Sequence, residues 1–275
     1  MSPGSFDKET MERVTSPDGT LIAYYRRGMG TPLILIHGSG AANPLAWTAV
    51  IPKLEEHFSI YAVDRRGHGE SNDASAYALE REIEDVAAVV DSAGVPAYVL
   101  GHSFGALCAL EAALRTNSIR KLILYEPAMP FPDTTIYPEG VIDGLQALLD
   151  QGDREATLTM FYREVAKLST EDIEQLRSSP GWPARVAAAH TVPREARVEE
   201  SYRFDAQRFK SLHIPTLLLL GSDSPPLLKR TTDVINTALP NSRIAVMPGQ
   251  DHIAMYTAPQ LFLQIVMRFL IEPGN

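Results

Sequence analysis

Short apolar runs alternate with longer segments of helical periodicity along most of the chain, the pattern of a mostly parallel sheet covered by helices. The runs at 11–16 and 21–27 flank Pro17-Asp18-Gly19 and predict an opening hairpin. The run at 32–37, Pro-Leu-Ile-Leu-Ile-His, is apolar almost throughout, as a strand buried on both faces requires. Further strands are predicted at 59–64, 97–100, 121–125, 216–220 and 243–247. Helices are predicted from Asn43-Pro44 through about Glu56, over 79–93 with Gly94 as terminator, and over 104–116. Another opens at Ser224-Pro225. A last helix carries Leu261, Ile265 and Phe269 one turn apart, and Thr257 and Gln260 have the spacing of a capping box before it.

The alternation stops between 129 and 209. That stretch has helical patterns broken by Pro132, Pro138, Pro180, Pro183 and Pro193, and no strand-like run. It is too long for an ordinary loop and too helical for a linker, which predicts an inserted helical lid. The expected layout is a flexible stretch at 1–10, an α/β core at 11–128 and 210–275, and a lid at 129–209.

Composition narrows the class of partner. The 275 residues hold 25 Lys and Arg against 34 Asp and Glu, a net charge of −9 that argues against nucleic acid or an anionic membrane as partner. With one cysteine, Cys108, an internal disulfide is impossible and a reducing compartment is expected. No apolar run approaches the ~20 residues of a membrane span, and the first ten residues have no apolar signal core. A cytoplasmic protein acting on a small molecule, as monomer or homodimer, is the expectation.

The chemistry concentrates after the predicted strands. Gly101, Ser103 and Gly105 form G-x-S-x-G between a strand and a helix, where a tight turn exposes the serine hydroxyl and sets the Phe104 N–H beside it at a helix N-terminus. A serine nucleophile needs a base. Of seven histidines, His252 lies in a loop just after the last strand; His37, His57, His68, His102, His190 and His213 fit structural or surface positions better. The base in turn needs an orienting carboxylate. Asp223 ends the run Leu217-Leu-Leu-Leu-Gly-Ser-Asp at the sheet edge where sites assemble, and its loop neighbours the histidine loop in chain order. Glu126, after the strand at 121–125, is the rival; Asp223 is preferred. For an oxyanion hole, His37-Gly38-Ser39-Gly40 can aim the Ser39 N–H, paired with that of Phe104, and Gly40 is held in reserve. His37 is expected to brace this loop. Asp64-Arg-Arg-Gly-His-Gly69 reads as a structural turn with an Asp–Arg pairing, since the phosphate-binding patterns are absent. No His/Asp/Glu cluster has metal-ligand spacing, so neither metal nor cofactor is expected.

Taken in order, HGSG at 37–40, DRRGHG at 64–69, GHSFG at 101–105, LLLLGSD at 217–223 and GQDH at 249–252 resemble the α/β-hydrolase superfamily. The resemblance covers about 11–128 and 210–272. It implies an eight-stranded, mostly parallel sheet with helices on both faces, and the triad Ser103, Asp223 and His252 with oxyanion donors Ser39 and Phe104. Serine at 103 departs from the dehalogenase and epoxide hydrolase branches, which carry aspartate there. The activity implied is hydrolysis of a small ester, thioester or lactone through an acyl-enzyme. Carbon–carbon bond hydrolysis, cofactor-free perhydrolysis and a ligand-binding receptor or scaffold on the same fold are the alternatives.

Overall fold

The computed structural model describes residues 10–41 and 45–272, the side chain of Leu45 excepted. Of the expected flexible start only residue 10 falls inside this range, and the cap expected at Asn43-Pro44 lies outside it. Eight strands are present: β1 (Met11–Thr15), β2 (Leu21–Arg27), β3 (Thr31–Ile36), β4 (Phe58–Val63), β5 (Ala97–His102), β6 (Ile119–Tyr125), β7 (Thr216–Gly221) and β8 (Ser242–Met247). They form one sheet in the order β1-β2-β4-β3-β5-β6-β7-β8. The β1–β2 and β2–β4 pairings are antiparallel and all others parallel. The parallel strands β3, β5, β6, β7 and β8 therefore deliver their C-terminal ends to one edge, where loops carrying different chemistry can meet. Gly101 pairs with Leu124 and His102 with Tyr125, so the ends of β5 and β6 are level.

Both faces of the sheet are covered because the central strands are apolar on both sides. One face packs on α2 (Leu79–Ser92), α3 (Phe104–Ala112) and α9 (Pro226–Ala238), the other on α1 (Ile51–Leu54) and α11 (Pro259–Ile271). The helix expected to run to Glu56 is instead a 3-10 turn at Leu45–Trp47 followed by the short α1. Pro52 accounts for the break: without an N–H it fits only the first turn of a helix, so a new helix starts there. α3 stops at Ala112 and its continuation tightens into i→i+3 bonds, Leu114 N–H to Glu111 and Arg115 N–H to Ala112. The capping box expected at Thr257 does not form. Its hydroxyl donates to Gln250 Oε1 at 2.7 Å, and Ala258 is the residue that precedes α11.

Between β6 and β7 the chain forms α4 (Val141–Asp150), α5 (Arg154–Glu164), α6 (Thr170–Arg177), α7 (Trp182–Ala187) and α8 (Val192–Ser201). These helices bury a cluster of their own, centred on Leu145, Leu158, Phe161, Tyr162 and Trp182. A buried ion network fastens them to the sheet. Glu195 of α8 accepts from Arg65 at 2.8 Å and lies 2.9 Å from His68 Nε2, while Arg65 also holds Glu82 of α2 at 2.8 Å. Burial works against a charge at Glu195, yet the Arg65 guanidinium and the His68 hydrogen bond hold its carboxyl well below the usual carboxylate range. The turn at 64–69 pairs its arginines with carboxylates of other elements, Arg65 with Glu82 and Glu195 and Arg66 with Asp85 and Asp18. Asp64 caps the turn itself, accepting from the Glu70 N–H at 2.7 Å.

Candidate active site

Ser103 sits between β5 and α3 with φ 53° and ψ −125°, a conformation costing ~1–3 kcal/mol that persists only where its surroundings enforce it. The flanking glycines allow the turn. A Cβ on Gly105 would lie 2.4 Å from the His37 carbonyl oxygen, and one on Gly101 2.5 Å from that of Gly105. The Ser103 N–H is taken by the Tyr125 carbonyl at 2.9 Å. As the first residue of α3, Phe104 has an N–H with no intrahelical acceptor. Across from it, Gly38 approaches so closely that an added Cβ would be 2.9 Å from Ser103 Cβ, which sets the 37–40 loop against Ser103.

His252 is held from three sides. Its Nδ1 lies 2.7 Å from Glu126 Oε2. Its carbonyl accepts from His102 Nε2 at 2.8 Å. The Tyr125 hydroxyl donates to the Asp251 carbonyl and accepts the Ala254 N–H at 2.9 Å, pinning the loop on either side. A carbonyl can only accept, so the His102 proton is on Nε2. Burial, and next the adjacent His252, holds His102 well below the ordinary imidazole range. His102 therefore reaches across to the histidine loop as a neutral brace. His37 does the same for its own loop, with Nδ1 2.9 Å from the Gly38 carbonyl and Nε2 facing the Arg65 N–H at 3.4 Å.

The carboxylate on His252 is Glu126, not Asp223. Glu126 is fully buried, and its Oε1 accepts from the Gly221 N–H at 2.7 Å and from Ser224 Oγ at 2.5 Å. Asp223 does lie beside the histidine loop, but by its backbone: its N–H donates to the Gln250 carbonyl at 2.9 Å. That bond turns its side chain outward, where it is exposed and accepts the Ser222 hydroxyl at 2.8 Å. The loop after β7 contributes the neighbours of this carboxylate, and the loop after β6 contributes Glu126 itself. Backbone strain points the same way. Among the described residues, three non-glycine residues have positive φ, and two of them are Ser103 and Glu126, the latter at 45°.

The helical insertion closes on this edge. A Cβ on Gly40 would be 2.7 Å from Phe161 and 3.4 Å from Tyr162, and the Tyr162 hydroxyl donates to the Gly40 carbonyl at 2.6 Å. Phe161, Tyr162 and Trp182 belong to the insertion's own core, with Met160 packed against it, and Phe161 and Tyr162 also meet the loop at the site. Among the described residues no group of three His, Cys, Asp or Glu side chains is arranged to hold a metal ion, and no helix is long and apolar enough to cross a membrane. Cys108 is buried in α3.

The chain belongs to the alpha/beta hydrolase family, whose sequence pattern it matches over residues 33–265, and it is a hydrolase of that type. A pimeloyl-[acyl-carrier protein] methyl ester esterase from Aeromonas hydrophila is 26% identical over 256 residues, 90% of this chain and 99% of that protein. An (E)-2-((N-methylformamido)methylene)succinate hydrolase from Acinetobacter baylyi is 25% identical over 255 residues, 90% of this chain and 93% of that protein. Among solved structures, an alpha/beta hydrolase from Sphaerobacter thermophilus superposes with a TM-score of 0.81 at 34% identity, covering 94% of this chain and 100% of that one.

Proposed function

We propose that the protein is a serine hydrolase that cleaves small carboxylic esters through an acyl-enzyme, with Ser103 as nucleophile, His252 as base and Glu126 as the carboxylate that orients the base. The observation that carries this reading is the buried Glu126 carboxylate 2.7 Å from His252 Nδ1, at the same sheet edge as the strained Ser103 turn. A carboxylate on Nδ1 holds the proton there and leaves Nε2 as the acceptor for the Ser103 hydroxyl proton. Ser103 Oγ then adds to the ester carbonyl, and the negative charge on its oxygen is taken by the backbone N–H groups of Phe104 and Ser39, with Gly40 in reserve. Collapse expels the alcohol, which takes its proton from the His252 imidazolium; water, deprotonated by His252, releases the acid from Ser103. The Glu126 carboxylate on Nδ1 stabilises the imidazolium in both halves. The helices between β6 and β7 serve as the lid that shapes the acyl pocket. The methyl ester esterase among the relatives supports an ester as substrate.

Turnover of short-chain methyl esters followed by proton release, with Ser103→Ala beside the wild type, is the direct test. The variant should lose on the order of 10⁴- to 10⁶-fold in kcat while keeping its fold. A serine-directed phosphonate should label the wild type at Ser103 and leave the variant unlabelled. Labelling elsewhere, or undiminished turnover by the variant, overturns the assignment.

A further inference from the structure

Arg185 of α7 reaches back from the insertion to the catalytic edge. Its Nη1 donates to the Gly40 carbonyl at 3.3 Å and to the Tyr162 hydroxyl at 3.1 Å, and the Tyr256 hydroxyl faces the same guanidinium. These contacts fix its place relative to the chemistry. Gly40 lies two residues beyond Gly38, which abuts Ser103, a backbone span of at most about 7 Å. Tyr256 lies in α10 (Ala254–Thr257), four residues past His252. The guanidinium therefore bridges the 37–40 loop and the helix that follows His252.

Among the insertion's arginines it combines partial burial with the lack of a carboxylate. Arg163, Arg177, Arg194 and Arg197 each have a carboxylate within 4.0 Å, Glu164, Glu174, Asp73 and Asp143, whereas Arg154 and Arg203 bond only to backbone carbonyls but are exposed. Arg185 has none among the described residues; two tyrosine hydroxyls and a carbonyl are what face it. A half-buried guanidinium without a counter-ion carries a desolvation cost that a ligand carboxylate can offset. The bonds to Gly40 and Tyr162 both use Nη1, so the remaining N–H donors of the guanidinium are left for the Tyr256 hydroxyl and a ligand carboxylate.

We infer that Arg185 selects substrates bearing a second carboxylate, so that the preferred esters are half-esters of short dicarboxylic acids, the free carboxylate docking on Arg185 while the ester carbonyl lies at Ser103. This rests on the serine-hydrolase reading and adds the substrate class to it. Both tyrosines help to place the guanidinium, Tyr162 from the insertion and Tyr256 from α10.

The test compares monomethyl glutarate with methyl pentanoate, matched in length but differing in the terminal charge, with monomethyl succinate and adipate to set the spacing. The wild type should favour the charged ester by about 10- to 100-fold in kcat/KM, mainly through KM, and raised ionic strength should erode the preference. Arg185→Gln should bring the ratio toward one, Arg185→Lys should keep part of it, and Arg185→Glu should invert it. A wild type that turns over the neutral ester equally well or better overturns the inference without needing any variant. So does an Arg185→Gln protein that loses the same factor on both esters, since that marks a brace for the Gly40 loop and nothing more. If neither methyl ester is hydrolysed and the phosphonate does not label Ser103, the underlying serine-hydrolase reading has failed instead.

Discussion

Glu126→Gln should lower kcat on a methyl ester by about 10³- to 10⁴-fold with KM little changed, because an amide on His252 Nδ1 can impose the wrong tautomer and cannot stabilise the imidazolium. Asp223→Asn, altering an exposed side chain that accepts only from Ser222, should stay within a factor of about two of the wild type. The reverse ranking would return the acid to the loop after β7. Both carboxylates follow strands that end at the same edge, and chain order favoured Asp223, whereas it is the Glu126 side chain that meets His252. What separates them is the direction of a side chain, set by tertiary contacts: the Gln250 carbonyl takes the Asp223 N–H, whereas Gly221 N–H and Ser224 Oγ converge on Glu126. The glycine-flanked turn at Ser103 and the post-strand loop at His252 leave a local imprint in the sequence. Glu126 leaves none, and its positive φ cannot be read from a glutamate in a sequence.

At the scale of elements, strands came through best, because a strand buried on both faces needs an unbroken apolar run and few other structures do. Helix ends came through worst. The Thr257 hydroxyl found a better acceptor in Gln250 than in the helix it precedes, a choice made by a loop folded against it from β8. α11 is secured at its far end by a contact that no local pattern announces. Lys121, buried in β6, donates through Nζ to the carbonyls of Phe269, Leu270 and Glu272 at 2.7, 3.1 and 2.6 Å. An ammonium there satisfies the carbonyls that the end of a helix leaves open and suits its negative pole. Lys121→Met should keep the packing of the stem but strand those carbonyls, costing about 1–3 kcal/mol in urea-induced unfolding, with methyl ester turnover unaffected. Unchanged stability would mean that water replaces the lysine without loss.

Across the whole molecule, the sheet carries Ser103, Glu126 and His252 at one edge, and the insertion is tied over that edge by charges buried between the two. Its position and helical character were readable as a gap in the strand pattern, but the ties were not, since Arg65 and Glu195 are 130 residues apart in a chain where most charges are solvated. A neighbouring buried carboxylate of α8 makes stability depend on pH in a defined direction. Burial pushes the Glu199 carboxyl of α8 up to about 8, with the Tyr137 hydrogen bond opposing. The folded state therefore keeps a proton that the unfolded chain releases near the ordinary value of 4.5, so stability from this group is complete below that pH and is lost as pH rises through about 8. Other shifted groups act elsewhere: Asp18, lowered to about 2, in acid, Asp85, raised to about 6, below neutrality, and the buried His37 and His102 below the imidazole value of 6.5. From pH 6.5 to 8 the wild type should accordingly lose about 1.5 kcal/mol in urea-induced unfolding, and Glu199→Gln, neutral at every pH, should lose much less over the same interval. Parallel profiles for the two proteins would show that Glu199 is ionised in the folded state, and with it that α8 rests on the sheet with one more buried negative charge than burial alone allows.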